Sequence, residues 1–376
     1  MPSRSDLFPA SYAASRARFC GYLARIQRAW PAARLVSRPL DPAEELTLDW
    51  IEAEPRQAHE KVILFTLGEH GIEGFVGSAM LELFVTEFLP ALDPRTTGLV
   101  LMHALNPWGM AHHRRVNRSN VDLNRNFVWD ETWIEPSSNP DYRQANWFLN
   151  PPHPVGSRLG AQFSYATGMA GVIARLGVRR FRQAVTLGQY AYHQGIYYGG
   201  NGPQEETCWA IDLYRQAAAR YAQILLLDMH TGYGPRERMS LVNSVFEPRS
   251  SAELCQAFGY PDIAKTDPSE FYAIQGDMID YLYTLVKNDA PGRQLYAASF
   301  EFGTFGDSFT AGLRSVRGLI LENQAFWHGA NGASLRAWID HEFGEMFFPQ
   351  DPAWQVRAVQ NARAAFQGIL TAENFI

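Results

Sequence analysis

Cysteine is scarce in this 376-residue chain: Cys20, Cys208 and Cys255 are its three. Far apart and odd in number, they form no CxxC pair and no full disulfide framework, which excludes a disulfide-stapled scaffold. Free thiols of this kind fit a reducing compartment. No run approaches the ~20 apolar residues that span a bilayer. The opening stretch "MPSRSDLFPASYAASRARFC" alternates polar and apolar residues and lacks the apolar core of a signal peptide. A basic excess is missing as well. The formal net charge is −6, so nucleic-acid binding has no electrostatic basis. There is no internal repeat and no low-complexity tract. The expectation is a soluble cytoplasmic protein with neither nucleic-acid nor membrane partners.

What the chain does have is apolar content, at 46%, enough for a large core. Six short runs read as buried strands: 61–67, 98–105, 183–190, 223–230, 239–246 and 295–303. They are near-continuous rather than alternating, as central strands covered on both faces are. Helical patterns lie between them, at 76–89, 158–176, 205–221, 271–287, 332–346 and 353–370. Strands alternating with helices define an α/β class with a parallel or mixed sheet. Residues 1–55 read as mostly helical and polar. We therefore expect a lead-in over 1–57 packed on one domain over 58–376. Residues 129–157, rich in Pro, Asn, Ser and Trp, read as a long surface loop.

Four segments carry chemistry-bearing residues at strand ends. In "LFTLGEHGIEG", glycines at 68, 71 and 74 allow a sharp exit from a strand, and His70 and Glu73 stand at i and i+3. On a helical turn that spacing shares a face, so an imidazole and a carboxylate can converge on one ion. In "LLLDMHTGYG" an apolar strand runs into Asp228 and His230. Asp228 is placed to orient the histidine. Two histidines and one carboxylate form a ligand set for catalytic zinc, with one position left open. The segment "NPWGMAHHRRVNRSNVDLNRNF" holds Arg114, Arg115, Arg118 and Arg125, permanently charged donors for a carboxylate or oxyanion. His112 and His113, being adjacent, point apart and read as surface residues. Glu301, in "AASFEFGTFG", interrupts an apolar strand. Desolvation there raises a carboxyl pKa toward the range of a general base.

The order HxxE, "RVN…VDLNRNF", strand-H-[ST] and a late strand Glu resembles the zinc carboxypeptidase family over residues 58–310. The resemblance implies a mixed, largely eight-stranded sheet flanked by helices. It implies zinc on His70, Glu73 and His230, with Glu301 as the general base. Arg115 would stabilise the oxyanion, and Asn124 and Arg125 would clamp the substrate's terminal carboxylate. The implied substrate is a peptide or an acylated amino acid. The family's catalytic tyrosine cannot be carried over, because Tyr272, Tyr281 and Tyr283 all precede Glu301 and read as packing residues of a helix. "DMHTG" fits N-acyl amino acid deacylases of the aspartoacylase and succinylglutamate desuccinylase type equally well, which keeps a deacylase as the alternative. A non-catalytic binding protein would have lost a ligand or the base, and all are present. The loop at 188–206, with Tyr192, His193, Tyr197 and Tyr198, reads first as a structural loop and second as a wall of the cleft.

Overall fold

A computed structural model describes residues 7–129, 134–265 and 274–376. Its eight strands are β1 (Arg34–Asp41), β2 (Leu46–Ala53), β3 (Lys61–Leu67), β4 (Thr97–His103), β5 (Gln223–Thr231), β6 (Met239–Asn243), β7 (Ile263–Lys265) and β8 (Gln294–Phe302). They form one mixed sheet in the order β1-β2-β4-β3-β5-β8-β6-β7. The central four, β4, β3, β5 and β8, are mutually parallel. The helices are α1 (Tyr12–Ile26), α2 (Gly74–Leu83), α3 (Pro107–Ala111), α4 (Pro140–Leu149), α5 (Arg158–Leu187) and α6 (Glu205–Arg220). They continue with α7 (Ser251–Phe258), α8 (Met278–Asp289), α9 (Phe309–His328), α10 (Ala333–Phe347) and α11 (Pro352–Ala372).

Strand β5 shows why its sequence reads as a continuous apolar run. Leu225, Leu227 and Met229 enter one core with α1, α2 and α11, while Ile224 and Leu226 enter a second with α6 and α8. Both faces are covered, so both parities must be apolar. Further along the second face, Asp228 and His230 replace aliphatic residues just where the strand ends. No helix among the described residues is long and apolar enough to cross a membrane.

Three expectations are corrected. Residues 34–53 are not helical: they form a hairpin whose strand β2 pairs with β4 and extends the sheet. β1 is an edge strand, largely exposed, so it carries polar residues that mask the strand. Residues 183–187 of the strand predicted at 183–190 are instead the last turns of α5. Phe181, Ala184 and Val185 bury one face at helical spacing, and a short apolar run cannot distinguish that from a strand. The predicted loop at 129–157 contains α4, capped by Asn139, whose side chain accepts from the Tyr142 N–H. Helices α7 and α9 were not anticipated. Tyr272 and the start of the helix expected at 271 lie outside the described residues.

Candidate active site

The four parallel strands end side by side, and each delivers one of the four segments to the same edge. This is where open α/β sheets place their sites. Beyond β3, Gly68 turns the chain at φ +68°, a left-handed conformation that favours glycine. Gly71 then passes so close to α3 that a Cβ would lie 2.1 Å from the Gly109 carbonyl carbon. The Gly71 and Ile72 N–H groups donate to the Arg115 and Arg114 carbonyls at 3.1 and 2.9 Å. The HxxE turn is thereby stitched to the arginine segment.

His70, Glu73 and His230 are all buried. His70 Nδ1 lies 3.0 Å from Glu73 Oε1, His230 Nδ1 lies 3.2 Å from Glu73 Oε2, and the two Nδ1 atoms are 3.2 Å apart. On the far edges of the rings, His70 Nε2 faces Asp122 Oδ1 at 3.1 Å, and His230 Nε2 bonds Asp228 and lies 3.3 Å from Glu69. Carboxylates only accept, so both Nε2 atoms carry protons. In the neutral rings this leaves Nδ1 lone pairs, and three acceptors then face one another. That arrangement is repulsive unless a proton or a metal ion lies between them. Ligand bonds of about 2.0–2.1 Å to a tetrahedral zinc put ligand atoms roughly 3.4 Å apart, close to the observed triangle. The Thr231 N–H donates to Glu73 Oε2 at 2.8 Å and holds the carboxylate in place.

A second grouping, Glu69 with His70 and His230, also has ligand atoms within 4.8 Å of one another. Glu69, however, faces the Nε2 edge of His230, where Asp228 already binds. The triangle with Glu73 is tighter, and it uses the nitrogens whose opposite edges are already satisfied. We therefore take Glu73 as the better donor for a divalent cation.

The charges around the triangle reinforce this. Burial pushes Glu69 up to about 7, with Asp228 adding to the effect. Burial opposes the ionised form of Glu73, yet His70 and His230 hold it well below the usual carboxylate range. Asp122 is likewise depressed against burial, by Arg115, Arg125 and His70. His230 is raised against burial, first by Asp228. An acidic shell that favours positive charge at the two rings suits a site in which a divalent cation takes the place of the Nδ1 protons.

Glu301 is the register partner of His230 on the neighbouring parallel strand. Burial pushes its carboxyl up to about 7, with Glu73 adding to the rise and His230, His70 and Arg115 opposing it. Arg115 donates to Asp122 Oδ2 from Nη2 at 3.2 Å and to Glu73 Oε1 from Nη1 at 3.3 Å. Asn124 Oδ1 accepts from the Met278 N–H at 2.9 Å, which leaves its amide NH2 as the available donor. Arg125 is buried, and it donates to the Asn124 and Thr186 carbonyls at 2.7 Å each. His70, Glu73, Arg115, Asn124, Arg125 and Glu301 all line one cavity of about 350 Å³.

The rest of the arginine segment lies elsewhere. Arg114 is buried against Glu322 at 2.7 Å and stacks on Phe326. Arg118 pairs with Asp41. His112 and His113 are exposed, as expected. Tyr281 and Tyr283 pack in the core beside α6. Of the 188–206 loop, Tyr197 enters the cavity. Its ring faces Arg115 at 5.3 Å and Arg125 at 5.4 Å, from a backbone with φ +55°. A non-glycine residue held there is strained, and such strain concentrates at functional sites. Glu69 and Asp122 were not singled out in the sequence, and Tyr197 was named only as one of several residues of a loop whose second reading was a wall of the cleft. Asp122 had a signal, since it stands inside the "VDLNRNF" motif, whereas Tyr197 had none beyond its tyrosine-rich loop.

The chain matches the family described as "Protein of unknown function (DUF2817)" over residues 8–361, and it belongs to that family. No curated protein sequence matches it. Among solved structures, it is similar to a chain of bovine thrombin-activatable fibrinolysis inhibitor in complex with tick carboxypeptidase inhibitor. The identity is 15%, the coverage 85% of this chain and 96% of that one, and the TM-score 0.47. Carboxypeptidase A from Helicoverpa armigera matches at 16% identity, over 96% of this chain and 77% of its own, with a TM-score of 0.46. Murein-tripeptide amidase MpaA from Escherichia coli O157 matches at 16% identity, over 78% and 92%, with a TM-score of 0.38. All three likenesses are distant, and the chemistry of the site rests on its own geometry.

Proposed function

We propose that this protein is a zinc-dependent amide hydrolase that releases an amino acid bearing a free carboxylate from a peptide or peptide-like substrate. The observation that carries the reading is the triangle of His70 Nδ1, His230 Nδ1 and the Glu73 carboxylate, with Glu301 one strand away. Zinc held by His70, Glu73 and His230 would supply Lewis acidity, polarising a carbonyl and easing the deprotonation of water.

The chain's own residues do the rest. Glu301 takes a proton from the attacking water on its carboxylate and delivers it to the departing nitrogen. The water oxygen bonds to the acyl carbon, the C–N bond breaks, and the second water proton passes from the new carboxyl group to the amine, so that a carboxylate and an ammonium leave. Arg115 donates to the oxygen on which charge develops, an effect of several kcal/mol, about 2.7–4 for oxyanion-hole donors. The NH2 of Asn124 and the guanidinium of Arg125 receive the substrate's terminal carboxylate, which sets the scissile bond one residue from the end. Tyr197 faces both guanidinium groups, at 5.3 and 5.4 Å.

The test is a panel of N-blocked dipeptides and N-acetyl- and N-succinyl-amino acids, incubated with and without chelator, alongside the zinc content of wild type and His70→Ala. We expect chelator-sensitive release of the terminal amino acid, about one zinc per chain, and loss of metal in the variant. Full zinc occupancy in His70→Ala would overturn the ligand assignment. Preference for short acyl groups would favour the deacylase.

A further inference from the structure

The cavity is not uniform. Its polar end is built where Asn124 meets the start of α8, and there Ser244, Asp277 and Ser299 join the lining. Its other wall comes from α5, α9 and the end of α10. Met169, Ile173 and Phe181 of the first face Leu313 and Val316 of the second, with Phe347 of the third. The Tyr165 hydroxyl donates to the Leu313 carbonyl at 2.7 Å and ties α5 to α9. These residues form the cavity side of one hydrophobic cluster. Phe347 reaches within 6.0 Å of the Arg115 guanidinium, so the apolar wall extends to the oxyanion donor, while the end of α5 meets the carboxylate clamp through the Thr186 carbonyl. At the rim, the apolar residues Val178 and Phe309 stand 47% and 60% exposed on the same two helices.

We infer that the acyl side of the scissile amide carries a bulky apolar group that lies against the α5–α9 wall. This rests on the amide-hydrolase reading above. With the carboxylate at Asn124 and Arg125 and the carbonyl at Arg115, the acyl portion leaves the reacting centre along Phe347. The surface it meets is mainly aliphatic and aromatic, with Arg182 and Thr186 of α5 and Ser315 of α9 as the polar side chains on these two helices. An extended polar peptide would leave its amides unpaired there, at a cost, whereas an alkyl or aryl group removes both surfaces from water. About 350 Å³ sits at the lower end of the roughly 300–1,000 Å³ typical of pockets for medium-sized ligands. The group is either a medium-chain fatty acyl or a large apolar side chain in a blocked dipeptide.

Two substrate series tell these sources apart, each on the same released amino acid: N-acetyl, N-butyryl, N-hexanoyl and N-octanoyl derivatives, and blocked dipeptides with Gly, Ala, Leu or Phe before it. We expect kcat/KM to rise with apolar size, by up to about fourfold per buried methylene. The series that climbs identifies the source. Leu313→Asn and Val316→Asn should reduce the octanoyl-to-acetyl ratio at least fivefold. Independently of turnover, calorimetry should show octanoate binding wild-type protein more tightly than butyrate. Hydrolysis that is flat across both series overturns the inference and leaves the amide-hydrolase reading standing. Tighter octanoate binding with no hydrolysis of any amide supports the apolar wall and removes the reading it was attached to. Equal binding of the two acids overturns the wall even if a variant fails to fold.

Discussion

Asp122→Asn is the most informative single change, because Asp122 joins a proposed metal ligand to the proposed oxyanion donor. One oxygen faces His70 Nε2 at 3.1 Å and the other accepts from Arg115 Nε and Nη2 at 3.3 and 3.2 Å. Asparagine keeps the shape but has one acceptor where two are needed. If its NH2 faces Arg115, donor meets donor. If it faces His70, the imidazole must accept at Nε2, which moves the proton to Nδ1 and removes the lone pair aimed at the cation. Loss of a partner that orients a metal-binding histidine costs roughly 10–100-fold in metal affinity, or about 1.4–2.7 kcal/mol at 1.36 per decade. Competition between the protein and a chromophoric chelator measures this directly. Glu44→Gln, which alters an exposed pair with His112, is the control. An unchanged zinc affinity in Asp122→Asn would refute both the tautomer argument and the choice of Nδ1 as the ligand atom.

Four further outcomes are expected. Glu301→Gln should keep its zinc and lose about 10²–10⁴-fold in kcat, the usual contribution of general acid–base catalysis; turnover near wild type would remove Glu301 as the base. As that base works ionised and burial raises its carboxyl to about 7, activity should climb with pH. The limb should lie at or below about 7, because a bound cation favours the carboxylate, and Glu301→Gln should abolish it. Arg125→Gln should raise KM more than it lowers kcat, by roughly 10- to 150-fold for a charged hydrogen-bond donor worth about 1.5–3 kcal/mol; an effect confined to kcat would count against the carboxylate clamp. Gly71→Ala forces a methyl into the Gly109 backbone and should cost about 1–3 kcal/mol or more, seen as a lower melting temperature. Unaltered stability would show that α3 can move away.

The α/β class was legible because both faces of β3, β4, β5 and β8 are covered, which forces near-continuous apolar runs. β1 escaped notice for the opposite reason: an edge strand faces solvent and carries charge. The end of α5 was mistaken for a strand since its buried residues, Ala184 and Val185, crowd into a short apolar stretch.

The proposed site divides in the same way. His70, Glu73, His230 and Glu301 could be singled out in advance because each is a polar residue at or just beyond an apolar strand, where only chemistry or a partner offsets the cost of burial; Arg115, Asn124 and Arg125 were picked out of the arginine segment only by its resemblance to the zinc carboxypeptidases. What local sequence cannot express is which separate strands lie side by side. The order β4-β3-β5-β8 brings four distant segments to one edge. Packing then decides which ring nitrogen faces which carboxylate, that Glu69 and Asp122 stand behind the histidines, and that Tyr197 lies between two arginines. The apolar wall is tertiary too: Met169 and Ile173 read as ordinary residues of an amphipathic helix until α9 and Phe347 close the other side of the cavity. The sequence by itself determined residue types and their burial pattern, which are local properties of strands and helices. Only long-range packing determined their distances, and both the affinity for a cation and the shape of the cleft depend on distance.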